Sequence, residues 1–259
     1  MSGPRPVAIV TGGRRGIGLA TAEALAARGF DLCVADLAPD DEGARDLCAG
    51  LEDRHGGRAI YAACDVADLA SHRPLVERVA AGLGRMDCLV NNAGIGAVVR
   101  GDVLDLAPEN FDRVLGVNLR GTVFLTQAVA RWMLAHPADG RPRTIVNVTS
   151  VSAALASPER LDYCVSKAGL AMWSQGLALR LAPEGIAVFD VRPGIIRTDM
   201  TAAVTARYDA RIADGLVPAR RWGEPADVAG VVAALASGDF AFATGSVVDV
   251  GGGLAVPRL

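Results

Sequence analysis

Residues 6–18 read PVAIVTGGRRGIG: an apolar run ending in Thr11, followed by Gly12, Gly13, Arg14, Arg15, Gly16, Ile17 and Gly18. Glycines where a strand hands over to a helix let the backbone come close to a ligand, and the free N–H groups of the helix start favour an anion such as a pyrophosphate. From Gly16 to Arg28 the apolar residues recur at helical period, and residues 31–36 (DLCVAD) return to an unbroken apolar run closed by an acid. This is a βαβ unit. Asp36 lies 18 residues after Gly18, where a carboxylate accepts hydrogen bonds from the hydroxyls of an adenosine ribose and repels a 2′-phosphate. NAD is therefore favoured and NADP disfavoured, although Arg14 and Arg15 pull the other way, because a guanidinium beside the ribose holds a phosphate well.

The alternation continues outward from this unit. Apolar runs at 58–63, 86–90, 143–148 and 186–191 are separated by helical patterns that start at Leu69, run from Pro108 to about Ala135, and pass through Lys167 over 161–181. Strands that read as continuous apolar runs belong to a parallel sheet covered by helices on both faces. The expected fold is thus α/β, a Rossmann-type doubly wound parallel sheet of about seven strands with helices on both faces. Connections are short and no repeat or low-complexity tract interrupts them, so residues 1–259 are expected to form one dinucleotide-binding catalytic domain. The longest irregular stretch, 195–221, is expected to be a substrate lid.

Composition narrows the partners. With 259 residues, 51% hydrophobic and 21% charged, the chain is globular; its formal net charge of −3 gives no basic face for nucleic acid or anionic lipid, which leaves a small molecule as the expected partner. Hydrophobic stretches are too short to span a bilayer and the first residues lack a signal pattern, so the cytoplasm is the expected compartment. Five Cys (33, 48, 64, 88 and 164) show no CxxC spacing and are expected to be reduced and buried. His55, His72 and His136 sit at polar helix ends or loops and are expected at the surface, and no metal site is expected. Of the 26 basic residues only Lys167 is a lysine. In a chain so biased towards Arg, that position is where a planar fork does not replace a compact ammonium.

The loop at 11–18, Asp65-Val66 after the third strand, Asn91-Asn92-Ala93-Gly94 after the fourth, Tyr163-Cys164-Val165-Ser166-Lys167, and Arg192-Pro193-Gly194 after the sixth resemble, in this order and spacing, the short-chain dehydrogenase/reductase family. The likeness runs from Val7 to Gly253. It implies that Gly12, Arg15, Gly16, Ile17 and Gly18 bind the cofactor and that Asp65 and Val66 bracket the adenine. It further implies that Asn91 and Gly94 line the cofactor channel, that Ile196 with Thr198 holds the nicotinamide carboxamide, and that Ala93 and Pro193 also bind the cofactor. One departure is visible: Gly251 stands where the family usually carries an acid. The resemblance also implies a homotetramer, which the apolar breadth of the 108–135 and 161–181 helices supports.

The chemical end lies in the second half. Tyr163 and Lys167, four residues apart on a helix, emerge on one face and meet over the same ligand, where Lys167 also serves the cofactor. A free phenol titrates near ~10, and an ammonium with an oxidised nicotinamide nearby favours the phenolate, which makes Tyr163 a general acid/base. Ser150, 13 residues earlier at the carboxyl end of the fifth strand, is placed to hold the substrate oxygen, unless it merely caps the turn that follows. By resemblance Asn118 anchors a proton-relaying water and completes an Asn118, Ser150, Tyr163, Lys167 set. Cys164 is expected to pack on another helical face.

The expected reaction is NAD(H)-dependent interconversion of a secondary alcohol and a ketone by hydride transfer. Arg100 and Arg160 are candidates to pair with a substrate carboxylate, which suits a small polar hydroxy compound such as a sugar acid or polyol. The layout also looks like the 3-oxoacyl-thioester (acyl-carrier-protein) reductases of the family. A non-catalytic NAD-binding sensor is the reading from another class, and the intact Ser150, Tyr163 and Lys167 argue against it.

Overall fold

The computed structural model of the chain describes residues 4–202 and 205–257. The start of the chain and positions 203–204 of the expected lid lie outside the described residues.

Seven parallel strands form one sheet: β1 (Val7–Thr11), β2 (Asp31–Asp36), β3 (Ala59–Ala63), β4 (Cys88–Asn91), β5 (Arg143–Val148), β6 (Ile186–Pro193) and β7 (Val247–Val250), in the order β3-β2-β1-β4-β5-β6-β7. The order reverses between β1 and β4, the switch point outside which such sheets bind ligands. All five residues of β1 are buried, and its side chains alternate between two cores. Ala8 and Val10 pack with Ala22 and Leu25 of α1 (Gly16–Ala27), Ala44 and Leu51 of α2 (Glu42–His55) and Val228 and Val232 of the helix Pro225–Ala236. Val7 and Ile9 face the other way, onto Leu75 and Val79 of α3 (His72–Leu83), Leu125 and Met133 of the helix Thr122–Ala135, and Leu177 and Leu181 of the helix Leu161–Leu181. Each buried Val, Leu, Ile or Met among these stabilises the fold by about 1.5–3 kcal/mol.

The expected single helix from Pro108 to about Ala135 is instead three pieces. α4 (Pro108–Leu115) and α5 (Thr122–Ala135) flank a π-helical turn over Gly116–Gly121. A Cβ on Gly121 would lie 2.1 Å from the Val66 carbonyl oxygen, so the segment after β3 presses directly onto the widened turn. Widened turns of this kind redirect a side chain without ending the helix. Here the redirected residue is Asn118, which is fully buried. The stretch 195–221 is less irregular than expected. It contains α7 (Asp199–Ala202) and α8 (Thr205–Ala213), and Ile212, Val217 and Trp222 form a small core of their own, with Trp222 Nε1 donating to Asp209 at 2.7 Å.

All five cysteines are buried and free. His72 departs from the surface expectation: it is buried, and its Nε2 lies 2.9 Å from the Val66 carbonyl oxygen. Among the described residues no helix is long and apolar enough to cross a membrane, and no group of His, Cys, Asp or Glu could hold a metal ion.

Candidate active site

The glycine turn is held from behind. Asn92, which follows β4, donates through Nδ2 to the carbonyls of Thr11 (2.9 Å) and Gly12 (3.1 Å), while Thr11 Oγ1 accepts the backbone N–H groups of Asn92 and Ala93. A Cβ on Gly18 would sit 2.0 Å from the Gly12 carbonyl oxygen, so α1 packs onto the turn only without a side chain there. Asn92 and Thr11 were missed as positioning groups, because nothing local in the sequence reveals a strap reaching back 81 residues. Asn91, expected in the channel, turns into the sheet's buried polar network instead. Its Nδ2 donates to Thr126 Oγ1 and Asn147 Oδ1, and Asn147 in turn donates to Ser174.

At the end of β2, Asp36 accepts the backbone N–H of Arg14 at 3.1 Å and that of Ala38 at 3.4 Å. A carboxylate accepts about four hydrogen bonds, so capacity remains for ribose hydroxyls. The two arginines beside it are engaged elsewhere. Arg14 pairs with Asp41 and Arg15 with Asp199 at the start of α7, the latter an exposed pair at 3.2 Å. Asp65 is exposed and Val66 buried after β3. Ile196 is buried and bridged to Gly223, and Thr198 lies against the turn, 3.7 Å from where a Gly16 Cβ would be. Pro193 is buried at the end of β6, and a Cβ on Gly194 would lie 2.6 Å from Gly251 Cα, so the departure at Gly251 falls where two backbones meet.

The chemical group is drawn together by α6 (Leu161–Leu181), β5 and the π-helical turn. Ser150 Oγ accepts the Ser152 N–H at 3.0 Å, so it does cap the turn after β5, and its own proton stays free to be donated. Lys167 Nζ donates to the Val148 carbonyl at 3.0 Å and stands 5.9 Å from the centre of the Tyr163 ring. Asn118 takes the Ile95 N–H on Oδ1 (2.8 Å) and donates through Nδ2 to the Ile95 carbonyl (2.9 Å) and to Ser166 Oγ (3.1 Å). A Cβ on Gly94 would lie 3.1 Å from Asn118 Oδ1 and 3.5 Å from Lys167 Nζ, so bare backbone keeps the space beside the ammonium open. Cys164 packs with its thiol 4.0 Å from the Ser157 carbonyl oxygen.

Burial governs the charges. It lowers Lys167 to about 8, partly opposed by the carboxylate of Asp190, which itself takes Thr149 and Arg192 as donors. It also pushes the Tyr163 phenol above its ordinary value, against the neighbouring Ser150 hydroxyl and the charges of Arg160 and Arg100. The nearer guanidinium is Arg160, 5.1 Å over the Tyr163 ring, with Nη2 donating to Ser152 Oγ and a buried Nε that has no protein partner. Arg100 is exposed.

The family model described as Enoyl-(Acyl carrier protein) reductase matches residues 12–255. A crystal structure of 3-oxoacyl-[acyl-carrier protein] reductase from Brucella melitensis in complex with NAD is 58% identical, with a TM-score of 0.95 over 100% of both chains. The 3-oxoacyl-[acyl-carrier-protein] reductase of Haemophilus influenzae is 37% identical, covering 96% of this chain and 97% of its own length. The L-rhamnose 1-dehydrogenase (NAD(P)(+)) of Azotobacter vinelandii is also 37% identical, covering 96% of each. With this coverage and the fold and motifs above, the chain belongs to the short-chain dehydrogenase/reductase family, oxidoreductases that act on CH–OH groups with a nicotinamide cofactor.

Proposed function

We propose that the chain interconverts a secondary alcohol and a ketone with NAD(H), with Tyr163 as general acid/base. The observation that carries this reading is the convergence of Ser150, Tyr163, Lys167 and Asn118 beside the glycine turn. The residues fit the dinucleotide: a side-chain-free turn lies at a helix start, and Asp36 keeps acceptor capacity at the end of β2. Gly12, Arg15, Gly16, Ile17 and Gly18 would hold the pyrophosphate, Asp36 the ribose, Asp65 and Val66 the adenine, and Ala93, Gly94, Pro193, Ile196 and Thr198 the nicotinamide end. Asn91 would act from beneath, through its network. When bound, the cofactor supplies or accepts the hydride.

The protein's own groups handle the proton. Ser150 has its oxygen engaged by Ser152 and donates its hydroxyl proton to the substrate oxygen. In reduction Tyr163 gives its phenolic proton to that oxygen, and in oxidation its phenolate takes it back. Lys167 spends one donor on Val148 and offers the other two to the cofactor ribose, while Asn118 fixes the backbone at Ile95 beside it. We assign residues 195–221 the role of a lid over this site, and the chain to the cytoplasm, where its five free thiols stay reduced. A homotetramer fits the exposed Phe124 and Leu134 of α5 and Val165, Met172 and Leu179 of α6.

For the substrate, the unpartnered Nε of Arg160 next to the phenol favours a small hydroxy acid such as a sugar acid. A 3-oxoacyl thioester is the second reading, supported by the names of the Brucella and Haemophilus relatives. A screen following NADH absorbance, run with NAD and NADP on hydroxy acids, polyols and acetoacetyl thioesters, tests all three parts. Equal or better kcat/KM with NADP would sink the NAD assignment. Turnover of the thioester alone would remove the hydroxy-acid reading, and no turnover of any alcohol or ketone, with NADH still bound, would leave only a sensor.

A further inference from the structure

Arg14 follows the first two glycines of the turn, and its backbone N–H is bonded to Asp36, so its side chain starts beside the carboxylate assigned to the ribose. A guanidinium leaving from that place has the charge and the forked donors that a 2′-phosphate needs. Its direction is fixed by other groups. Nη2 donates to both oxygens of Asp41 at 2.8 and 3.0 Å, Nη1 donates to the Pro39 carbonyl at 3.3 Å, and the group lies 6.0 Å from the centre of the Tyr61 ring. A Cβ on Gly43 would stand 2.9 Å from Nη2, so the first turn of α2 leaves room for the guanidinium to lie down. Asp41 also caps α2 by accepting the Ala44 N–H at 2.9 Å.

We propose that Asp41 is a positioning residue for cofactor choice: it holds the Arg14 guanidinium away from the ribose 2′-position and so keeps the protein selective for the unphosphorylated dinucleotide. The idea rests on the NAD reading and adds a second element to it. Asp36 repels a phosphate by its own charge, and Asp41 withdraws the cation that would otherwise attract one. With both acids in place the three side chains carry a net negative charge beside the ribose, and neither Asp36 nor Arg14 alone sets the outcome.

Asp41→Asn tests this without removing the helix cap, since Asn caps as well as Asp. The measurement is calorimetric binding of adenosine 2′,5′-bisphosphate and of 5′-AMP to the purified full chain, with no turnover needed. In Asp41→Asn the bisphosphate should bind about tenfold tighter, the scale of one charge-assisted hydrogen bond, with 5′-AMP unchanged. Arg14→Ala in the Asp41→Asn background should cancel the gain, whereas Arg14→Ala in the wild type should change bisphosphate binding little. An unchanged ratio in Asp41→Asn, or a gain that survives loss of Arg14, overturns the proposal. Should Asp41→Asn weaken 5′-AMP as well, Asp41→Ser, another capping residue, is measured in its place and must show the same gain. A wild type that binds the bisphosphate more tightly than 5′-AMP would instead sink the NAD reading itself, so the two failures are distinguishable.

Discussion

Lys167 and Arg14 are the two cations that face the proposed ligand from opposite ends, and they are treated in opposite ways. Lys167 is 4% exposed, has a single carbonyl acceptor, and is brought down to about 8 by burial. Arg14 lies at the rim, where the hydrogen bonds from its guanidinium to Asp41 raise its pKa further and leave it permanently charged. A compact ammonium in a dry site is poised near neutrality and acts on chemistry. A guanidinium at a wet rim acts through where a neighbouring acid points it, which concerns recognition. The chemical end should therefore respond to substitution with large losses of rate, and the rim with small changes of preference.

The largest effect is expected at Tyr163. Tyr163→Phe removes the proton donor but keeps the ring beneath Arg160, so kcat should fall by about 10²–10⁴-fold while NADH binding changes little. Residual turnover near wild type would mean that the proton travels another way. Lys167→Arg keeps a charge but must fit a planar fork into a buried site that offers the one carbonyl of Val148, and kcat is expected to fall by about 10²-fold. The pH profile separates charge from fit. Phenolate is needed for alcohol oxidation, so the ascending, low-pH limb of kcat/KM reports the phenol, which burial raises and Arg160 lowers; Arg160→Ala should move that limb to higher pH, and Lys167→Ala should do the same in whatever activity remains, through loss of an ammonium beside the phenolate. A limb that stays in place in both variants would assign it to another group.

Burial of Lys167 also has a cost that can be read from stability. Its folded pKa of about 8 lies below the ordinary 10.5, so between these values the unfolded chain binds more protons and stability rises with pH. Lys167→Met removes the buried charge. It should therefore be more stable than wild type at pH 7 in urea unfolding, with the advantage shrinking as pH rises from about 8 to 10.5. A gap independent of pH would show that Lys167 is not held at a lowered pKa.

The legible parts of this molecule were those in which the cause is local. Unbroken apolar runs gave the strands, the glycines at 12, 16 and 18 gave the strand-to-helix turn, and the spacing of Tyr163 from Lys167 gave their shared face. Destinations of long side chains were not legible, because they depend on partners distant in sequence: Asp199 is 184 residues from Arg15, and Asn92 reaches back to Thr11. The π-helical turn was hidden because residues 108–135 read as one continuous helical pattern, while what the turn fits against, the Val66 carbonyl at Gly121, is a tertiary contact. His72 misled for a similar reason: a polar helix start is surface by habit, but here its ring reaches a buried carbonyl.

At the rim, Asp36→Ala removes the repulsion but leaves Arg14 forked onto Asp41. The ratio of kcat/KM for NAD over NADP should narrow by about tenfold without reversing, and reversal should require Asp41→Asn in addition. Reversal by Asp36→Ala alone would show that Arg14 is already free to serve a phosphate.

The smallest effect belongs to Arg15. Its ion pair with Asp199 joins the glycine turn to the first turn of the 195–221 segment, a position that on paper suits a latch. Both side chains are about three-quarters exposed, at 78% and 75%, and a single contact of 3.2 Å in water at physiological salt contributes at most about 1 kcal/mol. The segment has better anchors in the Ile196 to Gly223 bridge and in the Trp222 to Asp209 hydrogen bond, neither of which involves Arg15. Asp199→Asn should accordingly alter KM for the cofactor by less than about fivefold and leave kcat in place, and the change should vanish as ionic strength is raised. Arg15→Ala should go slightly further, because it also removes a cation from the turn proposed to hold the pyrophosphate. A salt-insensitive, tenfold or greater loss in Asp199→Asn would make the pair a structural latch, and the contrast between a wet, tunable rim and a dry, chemical interior would fail at this point.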